Sequence, residues 1–267
     1  MIKTDTLTGV AETLLIPVGA RAREHRRPDA LFHDPWAARI VENLDDTLER
    51  FAKDWLSQAG IAVRTEILDQ AVHAFLARHP DALVVNLGAG LCTRFFRLDN
   101  GHVRWVELDL PEAIALRREI FEENRRCRLL AHSVLDHDWM ERVEETPRRP
   151  ILFVAEGLLY YFTEDQVRAI LTALARRFPG SELLFESVSP LMVRLSSRHP
   201  SVGKTSARFH WGIRTGKSLA GWDKNIHFVE EWSYFDRHPE RWRWLRLLRR
   251  TPPLRDLIKI VHLRFAP

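Results

Sequence analysis

The run Leu83-Val84-Val85-Asn86-Leu87 ends in Gly88-Ala89-Gly90, and that junction constrains the fold more than any other part of the chain. A short apolar run rich in Val and Leu, followed by a glycine turn, reads as a buried strand opening into a sharp bend. Glycine lets the backbone take conformations closed to other residues and lets a ligand approach closely. A second apolar run, Val103 to Val106, closes in Glu107-Leu108-Asp109, where acidic side chains are placed to accept hydrogen bonds from ribose hydroxyls. The pair predicts a nucleotide-like cofactor. In the dinucleotide fingerprint a third Gly or Ala packs helix against strand, but Thr93 stands at that position here. Only Leu91 to His102 separates the turn from the next strand, too little for a long crossover helix. The spacing therefore predicts S-adenosylmethionine rather than NAD. Glu107 and Asp109 lie two apart and share one face of a strand. Asp109, nearer the strand's carboxyl end, is the preferred ribose ligand, and a structural salt bridge is the alternative for Glu107.

Before this unit the pattern predicts helices over Leu7 to Ile16, Pro35 to Ala52 and Ile61 to Arg78, the first two flanking a polar basic stretch from Arg21 to Asp29. After it, strands are expected at Val103 to Leu108, Arg128 to Ala131, Ile151 to Ala155 and Glu182 to Val188, with helices at Pro111 to Asn124 and Glu164 to Phe178. Such alternation predicts an α/β doubly wound, mainly parallel sheet with ligands at the carboxyl ends of its strands. The pattern breaks after Pro190, and two closing strands follow at Ile226 to Trp232 and Leu257 to Phe265. The expected organisation is one domain spanning 1–267. It comprises an N-terminal helical cap (1–60), a cofactor-binding core (61–190), a substrate lid (191–222) and a closing unit of strands and helix (223–267).

A chain of 267 residues can bury one substantial core. Its net charge of +4 is a weak pointer to an anionic partner. Cys92 and Cys127, the only cysteines, are too few for a disulfide framework or a cysteine metal cluster. His132 and His137 lack a third ligand, so no metal is expected. No signal-like start and no apolar run near the roughly 18 residues of a membrane span are seen, so a cytoplasmic protein is expected. The run Trp242 to Arg250 reads as a helix with Trp244, Leu247 and Leu248 packed and Arg243, Arg246 and Arg250 solvated. Its functional alternative is a surface for RNA or acidic lipid.

Several ordered segments together resemble the leucine carboxyl methyltransferase superfamily, in particular its bacterial tetracenomycin-type polyketide O-methyltransferases. They are the glycine segment, Arg26 to Pro35, Trp105 to Pro111, Ser133-Val134-Leu135-Asp136, Ala155 to Tyr161, Phe209-His210-Trp211-Gly212 and Trp232-Ser233-Tyr234-Phe235. The resemblance implies a seven-stranded class I methyltransferase sheet, capped by N-terminal helices and carrying an insertion after strand five. It also implies that Gly88 and Gly90 pass beneath S-adenosyl-L-methionine and that Asp109 holds the ribose. Ser133 and Val134 would flank the adenine, Glu156 would face the methionine end, and Arg64 would pair with its carboxylate. The family usually has Asp after the glycine-loop Leu, whereas this chain has Cys92, so any polar contact of that Asp is lost or replaced. From the residues alone, Glu156 follows an apolar strand, where a carboxylate is costly unless paired. A cofactor ammonium or an arginine of the protein would serve.

The expected function is O-methyl transfer to a small aromatic or polyketide-like acceptor, with neither nucleic acid nor membrane as partner. An acceptor carboxylate needs only a cation, for which Arg208, Arg214 and Lys204 are candidates. A phenol gains from a base, for which Tyr161 and His210 are candidates. The carboxylate is slightly favoured. Phe209 and Trp211 are expected to form the lid's apolar wall, with Arg208, Trp211 and Arg214 meeting the acceptor. The alternatives are methylation of a protein C-terminus and a non-enzymatic binder using the Trp/Arg run.

Overall fold

The computed structural model describes residues 10–43, 54–143, 149–195 and 208–267. The strand before the glycine turn is β1 (Leu83–Leu87), buried along its whole length. Leu83, Val85 and Leu87 enter one apolar layer and Val84 the other, as the twofold repeat of a strand covered on both faces requires. It pairs in parallel with β2 (Arg104–Asp109) and β4 (Ile151–Ala155). β3 (Cys127–Ala131) joins β2, and β5 (Glu182–Val188) joins β4, both in parallel. β7 (Ile258–Phe265) is antiparallel to β5 and to β6 (Ile226–Ser233), which carries an irregularity between Phe228 and Glu230. The order β3-β2-β1-β4-β5-β7-β6 meets the expected seven-stranded sheet with its antiparallel closing pair. The order reverses between β1 and β4, and a crevice opens at that switch, beyond the strands' carboxyl ends.

One layer on the sheet is built by α7 (Glu164–Arg177) and α6 (Trp139–Val143). Thr163 and Gln166 close a reciprocal cap at the start of α7. The other layer is α3 (Trp55–Arg78) with Phe95 of the short α4 (Arg94–Leu98). α3 buries residues on several sides because it lies between the sheet and the cap. The cap, α1 (Val10–His25) and α2 (Pro35–Glu42), packs Leu15, Val18 and Ile40 against Leu91 of the glycine turn and Leu116 of α5 (Pro111–Ile120). Asp34 caps α2 through the Ala37 amide at 2.9 Å, with Pro35 in the first turn.

Several expectations are corrected. α1 continues through Pro17 to His25 instead of stopping at Ile16. Arg21 and Glu24, read as part of a solvated basic stretch, are buried: Arg21 reaches Asp34 and the Leu91 carbonyl, and Glu24 accepts from the Leu31 amide and pairs with Arg241. Their polarity is spent inside the protein. α3 begins at Trp55, ahead of the expected start at Ile61, because Asp54 caps it. α5 ends at Ile120, short of Asn124. The helix expected to end at Ala52 is described only to Glu42, and residues 44–52 lie outside the described ones.

The Trp/Arg run differs most. Residues Pro239–Arg250 form 3₁₀ turns broken at Arg243, whose φ is 50°. Residues three apart eclipse in such turns, so Trp242 (2% exposed) and Leu245 (9%) point inward while Trp244 (70%) and Leu247 (55%) face solvent. The α-helical period predicts Trp244, Leu247 and Leu248 as the packed side; the first two are solvated, and the Leu248 side chain lies outside the described ones.

Glu182 at the start of β5 joins the sheet to its closing strand: it meets His262 at 2.8 Å, Arg264 at 3.0 Å and Arg78 at 3.3 Å. Burial opposes its ionisation, but the hydrogen bond from His262 and the Arg78 guanidinium hold its pKa at about 2, below the ordinary 4.5. A carboxyl depressed on folding stabilises fully above its unfolded value and loses that contribution as the pH falls through its folded value. The urea-midpoint advantage of the wild type over Glu182→Gln is therefore expected to be present at pH 4.5 and to shrink as the pH falls from 4.5 to 2. An advantage independent of pH would contradict this assignment.

Candidate functional site

The glycine turn at the end of β1 needs its glycines. Gly88 has φ +64° and Gly90 φ +46°, and a Cβ on Gly88 would lie 2.8 Å from Leu158 Cδ1. Asp109, at the end of the adjacent strand, fixes the turn: its Oδ2 accepts from the Gly90 amide at 2.6 Å and its Oδ1 from the Leu110 amide at 2.7 Å. Burial raises the Asp109 carboxyl against these bonds. Glu107 takes the structural alternative. It is fully buried, pairs with Arg117 at 3.1 Å and accepts from Asn86 at 2.6 Å.

Along the crevice, arginines and carboxylates alternate. Arg21 and Arg97 share Asp34, each at 2.9 Å. Arg97 and Arg94 share Asp69, each at 2.7 Å. Arg94 and Arg64 share Glu156, at 2.6 and 2.8 Å. Arg64 continues to Glu186 at 2.9 Å, which accepts from the Tyr234 hydroxyl at 2.8 Å. Burial alone would push Glu156 up, but the guanidiniums of Arg64 and Arg94 outweigh it and hold the carboxyl below the usual range. Asp34 is held down in the same way by Arg21 and Arg97.

Two cavities meet at this chain of charges. The smaller, about 140 Å³, is lined by the glycine turn, Asn86, Cys92, Arg64 and Glu156. The larger, about 290 Å³, is lined by the aromatic side chains Tyr160, Tyr161, Phe209, Tyr234, Phe235 and Trp242. Leu56, Ile61, Val188, Leu245 and Ile258 add to its apolar surface, and Arg64 and Glu186 are the charged residues of its described lining. Pro17, Arg64, Tyr160 and Tyr161 line both cavities and form the wall between them.

Of the residues singled out in the sequence, Gly88, Gly90, Arg64, Glu156 and Tyr161 converge on this junction. Ser133 and Val134 follow β3 outside the described lining of both cavities. The Ser133 hydroxyl accepts from the Leu135 amide, and Val134 packs in the core. Tyr161 is in place, but burial and the Glu186 charge raise its pKa to about 12, so it is a hydroxyl donor rather than a base. His210, Arg208 and Arg214 are exposed and line neither cavity. Trp211 is corrected too. It is buried in the core, stacked on Phe185 at 6.1 Å and tilted against Trp222 at 6.0 Å, because the His210 and Trp211 amides bind the Tyr160 carbonyl and turn the indole under the sheet. Only Phe209 of that segment's expected wall faces the larger cavity. Lys204 lies outside the described residues, within 196–207.

Cys92 brings no carboxylate to the smaller cavity. Arg94 approaches its Sγ at 3.5 Å and runs on to Asp69 and Glu156. Glu186, Tyr234, Arg94 and Asp69 were not singled out in the sequence. Glu186 had a signal, since it interrupts the buried run Leu183-Leu184-Phe185 as Glu156 follows its own apolar strand. Among the described residues no group of three or more His, Cys, Asp or Glu is arranged to hold a metal ion. Nor is any described helix long and apolar enough to cross a membrane.

The sequence model of the leucine carboxyl methyltransferase family matches residues 15–175. The chain is 34% identical over 237 residues to the tetracenomycin polyketide synthesis O-methyltransferase TcmP of Streptomyces glaucescens, covering 88% of this chain and 87% of that protein. It is 32% identical over 235 residues to the S-adenosyl-L-methionine-dependent methyltransferase dpfgK of Gibberella zeae, covering 80% and 78%. Among solved structures, a DUF574 family protein from Streptomyces avermitilis superposes with a TM-score of 0.61 over 99% of this chain and 100% of its own, at 13% identity. That likeness shows the fold alone.

Because Asp109 satisfies the buried Gly90 amide, Asp109→Ala is expected to destabilise the ligand-free protein. The scale is about 1 to 3 kcal/mol, that of a buried donor left without a partner. Urea unfolding measures it, and wild-type stability in the variant would show that the turn does not depend on this carboxylate.

Proposed function

Since the chain belongs to the leucine carboxyl methyltransferase family, we propose that the smaller cavity receives the methionine end of the cofactor and the larger one the methyl acceptor. The protein is an S-adenosylmethionine-dependent methyltransferase. The residues fit that cofactor. The left-handed glycines leave open backbone beneath the cavity, and Glu156 offers a carboxylate to an ammonium. The Arg64 Nε is buried without a hydrogen-bond partner among the described residues, a donor that a carboxylate would satisfy. Asp109 would take a ribose hydroxyl while keeping the turn, and Ser133 and Val134 would border the adenine.

When bound, the cofactor supplies a methyl carbon already activated on a sulfonium, so the protein's work is alignment and exclusion of water. The observation that carries the reading is the shared wall: Arg64, Tyr160 and Tyr161 face both cavities, so the reacting carbon and the acceptor atom would meet there. The acceptor oxygen belongs to a small aromatic, polyketide-like molecule. Aromatic side chains on several sides favour a planar ring, and the relative TcmP is named for tetracenomycin polyketide synthesis. An extended protein C-terminus would bring amide groups that the largely apolar lining cannot satisfy. The Trp/Arg run contributes Trp242 and Leu245 to this cavity, which supports an enzymatic role for it.

Thermal unfolding with added S-adenosylhomocysteine tests the assignment. Binding to the native state raises the apparent stability by about 2.7 kcal/mol at a hundredfold excess over Kd. A rise in Tm with S-adenosylhomocysteine and none with NAD is expected. A rise with NAD alone would overturn it.

A further inference from the structure

Resting on the reading that the smaller cavity takes the methionine end, we propose that Glu186 is a positioning residue for cofactor binding, holding the Arg64 guanidinium so that its Nε–H meets the cofactor's carboxylate. Glu186 is not among the described lining residues of the smaller cavity, whereas Arg64 is. Its effect on a ligand there passes through the arginine.

A guanidinium carries its donors on three nitrogens in one plane. In Arg64, on α3, Nη1 donates to Glu186 Oε2 at 2.9 Å and Nη2 pairs with Glu156 Oε1 at 2.8 Å. A planar group held at one corner can pivot about it, and a second anchor on the other terminal nitrogen removes that freedom. The remaining donor, Nε, is buried with no partner among the described residues. Two carboxylates, one within β5 and one just after β4, thus set where the third donor points.

Glu186 is the firmer of the two anchors. It lies on a strand buried at every residue. Its Oε1 accepts from the Tyr234 hydroxyl at 2.8 Å, and its Oε2 accepts from the Tyr160 hydroxyl at 3.5 Å as well as from Arg64. Burial and the Glu186 charge keep both tyrosines protonated, so both remain donors. Glu156 is shared with Arg94 at 2.6 Å and, on the same reading, with the cofactor's ammonium.

Charge and orientation predict opposite effects of removing Glu186. Taking a negative charge from beside Arg64 strengthens the pull of that arginine on another carboxylate. Loss of the anchor leaves Nη1 with Glu156 as its nearest described carboxylate, and a turn toward it carries Nε away from the cavity. The direction of the change in affinity therefore separates the two causes.

Isothermal titration with S-adenosylhomocysteine and with 5′-methylthioadenosine tests the proposal, since the second ligand keeps the adenosine and the thioether but lacks the amino-acid end. The wild type should bind S-adenosylhomocysteine more tightly. Equal affinities, or no binding of S-adenosylhomocysteine, overturn the methionine-end reading itself. Given that preference, Glu186→Ala should raise the Kd for S-adenosylhomocysteine about ten- to a hundredfold, the scale of one hydrogen bond to a charged group. It should leave 5′-methylthioadenosine within about threefold of the wild type. Glu186→Gln keeps an oxygen for Arg64 and should return S-adenosylhomocysteine to within about threefold. Equal losses for both ligands mark a merely structural role. Unchanged or tighter S-adenosylhomocysteine binding in Glu186→Ala marks charge acting alone, and Glu186→Gln as weak as Glu186→Ala denies the hydrogen-bonded anchor. Each of these overturns the Glu186 role and leaves the methionine-end reading standing.

A second measurement needs no change at Glu186. The Nε–Hε resonance of Arg64, identified by its loss in Arg64→Lys, should relax as a rigid group on the picosecond-to-nanosecond scale in the ligand-free protein. It should shift with S-adenosylhomocysteine and not with 5′-methylthioadenosine. A freely moving Nε–H before ligand is added overturns the proposal even where Glu186→Ala fails to fold, and so does a resonance that responds alike to both ligands.

Discussion

The alternation of guanidinium and carboxylate from Arg21 to Glu186 is the interaction on which the site depends. Its members come from α1, the loop before α2, α3, the α4 turn, and the ends of β4 and β5, elements far apart in the chain. Arg94 is fully buried, and Asp34 is too. Each charge is tolerable only because it has an opposite neighbour on both sides or, at the two ends, one opposite neighbour and a neutral partner, the Leu91 carbonyl accepting from Arg21 and the Tyr234 hydroxyl donating to Glu186. Removing one partner of such a pair typically costs about 3 to 5 kcal/mol, since the other is left buried and alone. The cap therefore cannot drift from the sheet without exposing uncompensated charge. Arg64, held by a carboxylate on either side, has its guanidinium fixed where the two cavities meet.

From that fixed point the rest of the site follows. The glycine turn is pinned to β2 by Asp109, and the Leu91 carbonyl beyond it receives Arg21, so the cap and the turn share a hydrogen bond as well as the apolar cluster of Leu15, Val18 and Leu91. Pro17 lies mid-helix in α1 and lines both cavities. On the far side, Tyr234 couples the end of β6 to Glu186, and Trp242 closes the wall with its indole nitrogen bound to the Arg237 carbonyl at 2.8 Å. Elements from both ends of the chain thus enclose the larger cavity around the sheet's switch point.

The strands were legible because burial on both faces writes itself as short Val, Leu and Ile runs. β4 and β5 fall on the expected residues, and β1 ends where its glycines begin. The glycine turn, Glu156 and Arg64, which line the smaller cavity, were legible as candidates, the last through resemblance. The larger cavity was not. Phe209-His210-Trp211 and Trp242 to Arg250 look alike as sequence, aromatic and basic residues mixed, and which indole turns toward a cavity is decided by contacts made elsewhere. Trp211 is drawn under the sheet by the Tyr160 carbonyl, and Trp242 is set by the break at Arg243. Glu107 and Asp109 were indistinguishable by periodicity until Arg117 and Asn86 claimed the first. Pairings across 60 or more positions, such as Arg94 with Glu156, leave no local signal at all.

The central claim is that the wall of Arg64, Tyr160 and Tyr161 divides a cofactor side from an acceptor side. A crystal structure with S-adenosylhomocysteine tests it most directly. The account predicts the homocysteine end over Gly88 and Gly90, with its carboxylate on Arg64, its ammonium at Glu156 and its sulfur at the tyrosine wall. A ligand seated instead among Phe235, Trp242 and Leu245 would contradict it.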